Sequence, residues 1–477
     1  MGAQNDVLKV GLFGIGLDTY WPQFEGLKER LEGYQASVRQ RLEGGGLTVV
    51  DAGLVDNPRM ARGTGGMFAA ERVDLVFLYI TTYALSSTVL PVAQAAKAPV
   101  VVLNLQPVAS IDYERFNALG SREEMTGEWL AHCQACCAPE IASVFNRAGI
   151  DYHLVTGTLD DDEAWAEIDA WAAAARVAHA LRTTRVGVLG HYYCGMLDVY
   201  SDMTQLSAVF GSHFEIVEMD RLSSLRDGVT DGDVASMVER FGDSFDVSPE
   251  CSKDELRRAA RTSCALHAMV EQDDLGALAY YYEGTPGSAH EDVVTSVIAG
   301  NTLLTASHVP VAGECEIKNV LAMKILDVLG AGGSFSEFYA IDFDDDVVLL
   351  GHDGPGHPAI AEGRVKLVPL RVYHGKPGQG LSIEMNVRHG PVTVLSVVQG
   401  GDGRVSLLAA EGTTEAGPIL EIGNTNTRYR FPIGAKAFVN AWAKAGPAHH
   451  CAVGVGHVAD RIERLAALLC IEFVRVC

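Results

Sequence analysis

The chain has 477 residues, 48% of them hydrophobic and 21% charged, with a formal net charge of −24. That length predicts about two to four domains, and the composition is that of a globular protein able to bury several cores. The acidic balance excludes nucleic acid and anionic membrane surfaces as partners, because both repel a negative face; it leaves neutral substrates unaffected and favours metal cations.

Strands and helices alternate through the first third. Val7–Gly14 is an apolar strand and Gln23–Glu43 has helical periodicity. Leu47–Gly53, Val73–Tyr79 and Pro99–Leu105 are further strands. This order predicts a doubly wound parallel sheet. Glu128–Gly149 is predicted as one helix, Tyr152–Thr156 as a strand, and the Ala-rich helix Asp161–Leu181 as a connector. Val7–Leu12 is too short and glycine-broken for a signal peptide, and Leu75–Ala93 carries too many Thr, Ser and Pro residues for a membrane span. The ten cysteines follow no disulfide framework, so reduced thiols in a cytoplasm are expected.

A second α/β domain opens at the strand Arg185–Leu189. Helices follow at Asp202–Phe210, Gly232–Phe241 and Lys253–Gln272, with strands at Phe214–Met219 and at Leu275–Tyr281, the latter leading to Glu283. Asn319–Leu329 is an apolar helix. Beyond Gly330 the pattern changes to short strands: Val347–Leu350, Val365–Tyr373, Leu381–Val387, Val392–Gln399, Val405–Glu411, Pro418–Ile422 and Thr427–Phe431. Turn residues at this spacing predict an antiparallel barrel or sandwich. Ala435–Ala445, a strand at Cys451–Gly456 and the helix Ala459–Leu469 close the chain. The domains are therefore 1–175, 176–330 and 331–477: two doubly wound α/β domains and a β-rich, barrel-like domain with a terminal helix.

Several motifs read as architecture. Gly11, Gly14 and Gly16 follow a strand without the dinucleotide spacing, so a tight β–α turn is the default. Cys133-Gln-Ala-Cys136-Cys137 lacks a second cysteine pair for zinc. Asp344-Asp345-Asp346 precedes a strand and reads as a solvated turn.

The chemistry concentrates in four C-terminal segments: Gly313-Glu314-Cys315-Glu316, Ser336-Glu337-Phe338, Gly351-His352-Asp353-Gly354 and Trp442 to His449-His450. Two carboxylates and two imidazoles form an O/N donor set for an octahedral divalent cation, Mn²⁺ with Co²⁺ or Mg²⁺ as alternatives. Such an ion holds two adjacent sugar oxygens while a carboxylate moves a proton. That is aldose–ketose isomerisation. Glu314 and Glu316 share a face if their segment is extended, and then only one reaches the ion.

These segments resemble the arabinose/fucose isomerase superfamily, in its L-arabinose isomerase branch. Trp442-Ala-Lys-Ala-Gly-Pro-Ala-His-His450 is similar to that branch's tryptophan and His-His pattern, and Thr126–His132 with Leu154–Gly157 to its Ala-His and Val-Val-Thr-Gly segments. The resemblance implies that Glu316, Glu337, His352 and His450 hold a catalytic Mn²⁺, with Glu316 and Glu337 shuttling the proton through a cis-enediol. It implies a homo-oligomer, a trimer or hexamer with shared active sites, in which His132 and the loop after Gly14 reach a neighbour's sugar; His449 is expected at the substrate. Two departures concern the sugar pocket. Gly190 to Asp198 replaces a charged Gly-Asp-Asn-Met-Arg segment with aromatics, and Lys318 stands where the fucose branch has an aspartate. The alternatives are a metal-dependent epimerase or lyase on a modified sugar or polyol, and a non-catalytic sugar-binding protein.

Overall fold

The chain divides into two compact units, residues 1–179 and 180–477; the computed structural model describes residues 7–281, 284–370 and 379–477. In the first unit, strands β1 (Lys9–Ile15), β2 (Thr48–Val55), β3 (Leu75–Tyr79), β4 (Val100–Gln106) and β5 (Tyr152–Thr158) form one parallel sheet in the order β2-β1-β3-β4-β5. β3 reads LVFLY and is buried throughout, as a central strand covered on both faces must be. Leu27–Gly44 turns Leu27, Leu31, Val38 and Leu42 inward at helical spacing. Asn57 caps Pro58–Glu71, with proline in the first turn.

The helix expected over Glu128–Gly149 is two helices, Arg122–Leu130 and Cys137–Ala148. Pro139 is the reason. It fits a first turn but would strike the preceding turn of a continuous helix. Gln134 Nε2 fills the break, donating to Thr81 O and Ala131 O. Cys137 is buried and bonded to the backbone of Ala84, and all ten cysteines are free thiols.

The second unit begins with β6 (Arg185–Leu189), β7 (His213–Val217), β8 (Asp246–Val247), β9 (Ala277–Tyr280) and β10 (Val311–Ala312). Four of these form a parallel sheet, β10-β9-β6-β7. Past residue 330 come β11 (Gly332–Asp342), β12 (Val347–His352), β13 (Lys366–Leu370), β14 (Gly380–Glu384), β15 (Gly390–Gln399), β16 (Val405–Glu415), β17 (Thr425–Arg430), β18 (His450–Val455) and β19 (Glu472–Arg475). Seven of them form a mostly antiparallel sheet, β15-β18-β11-β12-β17-β16-β19, and β15 also pairs with β16. Val348, Leu350, Val394, Leu408 and Val453 pack with Phe438 and Trp442 of helix Ala435–Lys444. The change from parallel to antiparallel sheet falls at the expected place, within one compact unit.

Two differences from the sequence reading have local causes. β11 is unannounced in sequence because it opens Gly-Gly-Ser. Pro418–Ile422 is not a strand: the Arg428 guanidinium holds Pro418 O, and the Asn426 side chain holds Leu420 O and N. Asp344–Asp346 is the exposed turn expected, and within it Asp345 pairs with buried Arg428 and Asp346 accepts from Ala435 N. Of the strand expected over Val365–Tyr373, residues 371–373 lie outside the described residues, as does Glu283. Among the described residues, no helix is long and apolar enough to cross a membrane.

Candidate metal centre

Three neighbouring strands carry the donors. Glu337 lies in the middle of β11, opposite His450 of β18 on one side and Gly351 of β12 on the other. Directly paired residues on adjacent strands bring their side chains together, and His352 ends β12 one residue further on. Gly351 has no alternative, since the Thr425 carbonyl occupies the place a Cβ would take. Phe335, 1% exposed, lies against both imidazoles, 4.5 Å from the His352 ring and 4.4 Å from His450.

Glu314, not Glu316, completes the cluster from the parallel half of the unit. Glu314 and Cys315 both adopt left-handed backbone, with φ of 57° and 54°. Such strained pairs concentrate at functional sites. The segment is therefore not extended, and the two glutamates do not share a face. Glu314 Oε2 lies 3.2 Å from His450 Nε2 and 3.8 Å from His449 Nε2. Glu316 instead precedes the helix Ile317–Val328 without capping it through its side chain, with Oε2 3.8 Å from the opposite nitrogen, His450 Nδ1, and Oε1 3.1 Å from Lys318 Nζ. Of the two glutamates, Glu314, the reserve candidate of the sequence reading, belongs to a group of converging donor atoms, and Glu316 lies behind His450 on its other ring nitrogen.

Donor atoms of Glu314, His449 and His450 lie within 4.8 Å of one another, as do those of Glu337, His352 and His450. His450 joins the two groups, and Glu337 Oε2 lies 3.9 Å from His449 Nε2. Trans ligands of one octahedral ion at bonds of about 2.1 Å stand about 4.2 Å apart, and each group of three is a candidate cation site on that scale. Asp198 orients His449. Its Oδ2 accepts from His449 Nδ1 at 2.6 Å and from His449 N at 2.9 Å. Asp198 went unrecognised in the sequence because no motif links two positions this far apart in the chain.

The electrostatics are those of a cation site. Burial works against the Glu314 charge, but hydrogen bonding to His450 and the nearby imidazoles outweigh it and hold the carboxyl at about 2. Burial lowers His450, yet Glu314 and Glu316 raise it to about 9. Burial and His450 both push His352 down. Asp198 is opposed by burial and drawn to about 2 by its bonds to His449.

Glu314, Glu337, His352 and His449 face a cavity of 230 Å³. Val294, Val297, Ile298 and Leu370 line it elsewhere, with Tyr193 and Met196 of the aromatic segment. Gly14 and His132 belong to the other unit. Gly14 is buried inside β1, where Gln35, Leu54 and Thr81 leave no room for a Cβ. His132 is half-buried at a helix end and donates to Glu128 O at 2.9 Å.

Residues 332–472 match the profile of the L-arabinose isomerase C-terminal domain. The chain is 26% identical to the L-arabinose isomerase of Nocardioides sp. over 71% of this chain and 68% of that one. It is 23% identical to that of Shewanella sp. strain MR-4 over 76% and 74%, and 24% identical to that of Klebsiella pneumoniae over 70% and 68%. The resemblance drawn from the motifs thus extends over most of the chain. A solute-binding protein of Burkholderia multivorans is 13% identical over 64% of this chain and 97% of that one, with a TM-score of 0.18.

Proposed function

We propose, from the kinship with L-arabinose isomerases, that this chain is an aldose–ketose isomerase of a small sugar, dependent on a divalent cation held by Glu314, Glu337, His352 and His450. The supporting observation is the convergence of these four groups and His449 within the segment pair that includes the matched domain. The donor chemistry, oxygen and imidazole without thiolate, suits Mn²⁺, Co²⁺ or Mg²⁺. When bound, such a cation holds the adjacent sugar oxygens and polarises the carbonyl.

The chain's own groups then divide the proton work. A base works best with a pKa near the operating pH. Glu314, drawn down to about 2, is a poor base and a good anionic ligand. Glu337 faces the same cavity, partly open to it, and is the carboxylate that removes the C2 proton and returns it to C1 through a cis-enediol. His449, fixed by Asp198 with Nε2 toward Glu337, carries the hydroxyl proton between the two sugar oxygens. Glu316 does not line the cavity and takes neither role. An epimerase would begin with the same C2 abstraction, so product analysis separates the two.

The arabinose isomerase kinship also leads us to propose a homo-oligomer, trimer or hexamer, in which His132 completes a neighbour's site.

The test is metal analysis of the purified protein, then incubation of Mn²⁺-loaded protein with aldopentoses, aldohexoses and deoxysugars. Ketose formation from at least one is expected. Folded, Mn²⁺-saturated protein that forms no ketose from any of them rejects the reading.

A further inference from the structure

Beside His450 lies a buried ion pair that the proposed chemistry does not use. Glu316 is 0% exposed and Lys318 4%. The Lys318 ammonium lies 3.1 Å from Glu316 Oε1. It also donates to Asp198 O at 2.9 Å, Val199 O at 3.2 Å and Ser201 Oγ at 3.2 Å. An ammonium has three protons and no acceptor capacity, so the Asp198, Val199 and Ser201 oxygens take all three, and the contact with Glu316 is an ion pair.

Both imidazoles of the His449-His450 pair lead back to that nitrogen. His450 Nε2 faces the cavity through Glu314, while Nδ1 faces Glu316, the counter-charge of Lys318. His449 is held by Asp198, whose own carbonyl is bonded to Lys318. Residues 191–202 form turns with no helix or strand. Asp198 lies outside every strand ladder, and Lys318 ties this loop to the helix Ile317–Val328. Groups behind a ligand that fix its tautomer and direction set much of its metal affinity.

We infer that Lys318 is a positioning residue for the metal centre, orienting His450 through Glu316 and His449 through the loop that carries Asp198. The inference rests on the cation-dependent reading of the site. A buried lysine also has a bland explanation, as the counter-charge that lets Glu316 be buried, and removing one partner of such a pair destabilises any fold.

Two variants separate the explanations. Lys318→Met removes the nearer counter-charge of the buried Glu316 carboxylate and should lower the melting temperature. Lys318→Met/Glu316→Gln removes both charges and should regain most of that loss. In both variants the positioning role predicts hydrogen exchange in residues 195–201 faster by about tenfold or more. It also predicts Mn²⁺ affinity, read by calorimetry, weaker by about 10- to 100-fold, and a comparable fall in kcat. A double variant that regains wild-type exchange, Mn²⁺ affinity and turnover along with its stability overturns the inference. Failure of the wild type to bind Mn²⁺ rejects the proposed function instead, and the exchange comparison still decides whether Lys318 holds the loop.

Discussion

Glu314 and Glu316 are the sharpest test at the residue scale, two carboxylates a residue apart with different surroundings. With Glu314 as the ligand, Glu314→Gln should weaken Mn²⁺ binding more than Glu316→Gln does, measured by titration of each folded variant. Equal losses would mean that both glutamates bind the ion. Glu337→Gln keeps the size and removes the base. At saturating Mn²⁺ its kcat should fall by at least about 10²-fold; unchanged turnover excludes Glu337 as the proton carrier. His450 adds a pH signature. Without a cation it is raised from 6.5 to about 9, so its contribution to stability is fully present below about 6.5 and is lost as pH rises through about 9. Binding a cation at pH 7 must expel that proton, so affinity should rise with pH over this window. Calorimetry in two buffers of different ionisation enthalpy reads the proton release, and His450→Gln should abolish it. The sequence marked Glu337, His352 and His450 by residue type; His352 and His450 stand at strand ends, but Glu337 sits in the middle of β11 and not near a strand end as expected. It left Glu314 and Glu316 as alternatives, because a left-handed pair at Glu314 and Cys315 leaves no signature in side-chain pattern.

At the scale of the element, β11 is the scaffold. Its register sets Glu337 opposite His450, and its Phe335 packs against both His352 and His450. Phe335→Ala should cost about 3–5 kcal/mol of stability, the usual range for a buried phenylalanine, and should also weaken Mn²⁺ binding. Phe438 is a control: it is buried 3.5 Å from the Phe431 ring in the same core, among apolar neighbours. Phe438→Ala should lose similar stability in urea melts while Mn²⁺ affinity stays near wild type. Loss of Mn²⁺ affinity in both variants would show that the centre responds to general loosening and not to Phe335. Helices such as Lys253–Gln272 were readable to the residue, because capping and periodicity are local signals. β11 was not, because Gly-Gly-Ser hides a strand whose pairing partners lie far along the chain.

For the whole molecule, the proposed oligomer predicts complementation. Inactive Glu337→Gln subunits co-assembled with impaired His132→Ala subunits should recover activity if sites are shared; verified mixed oligomers with no recovery, or a fully active monomer, would exclude sharing. His132→Ala alone should change KM or kcat without weakening Mn²⁺ binding, since it lies outside the donor set. The amino-acid sequence by itself determined the succession of α/β units and antiparallel strands, since periodicity and turn residues act over a few positions. It also determined the donor chemistry, since residue type alone limits which cations a set of carboxylates and imidazoles will hold. Only the tertiary structure decided which donors meet. The β11–β18 register put Glu337 beside His450, a left-handed turn carried Glu314 to within reach of His450, and Asp198 reached His449 across 251 positions of chain. Such contacts depend on register and backbone sign, which arise from packing between segments distant in sequence and are not written in either segment alone.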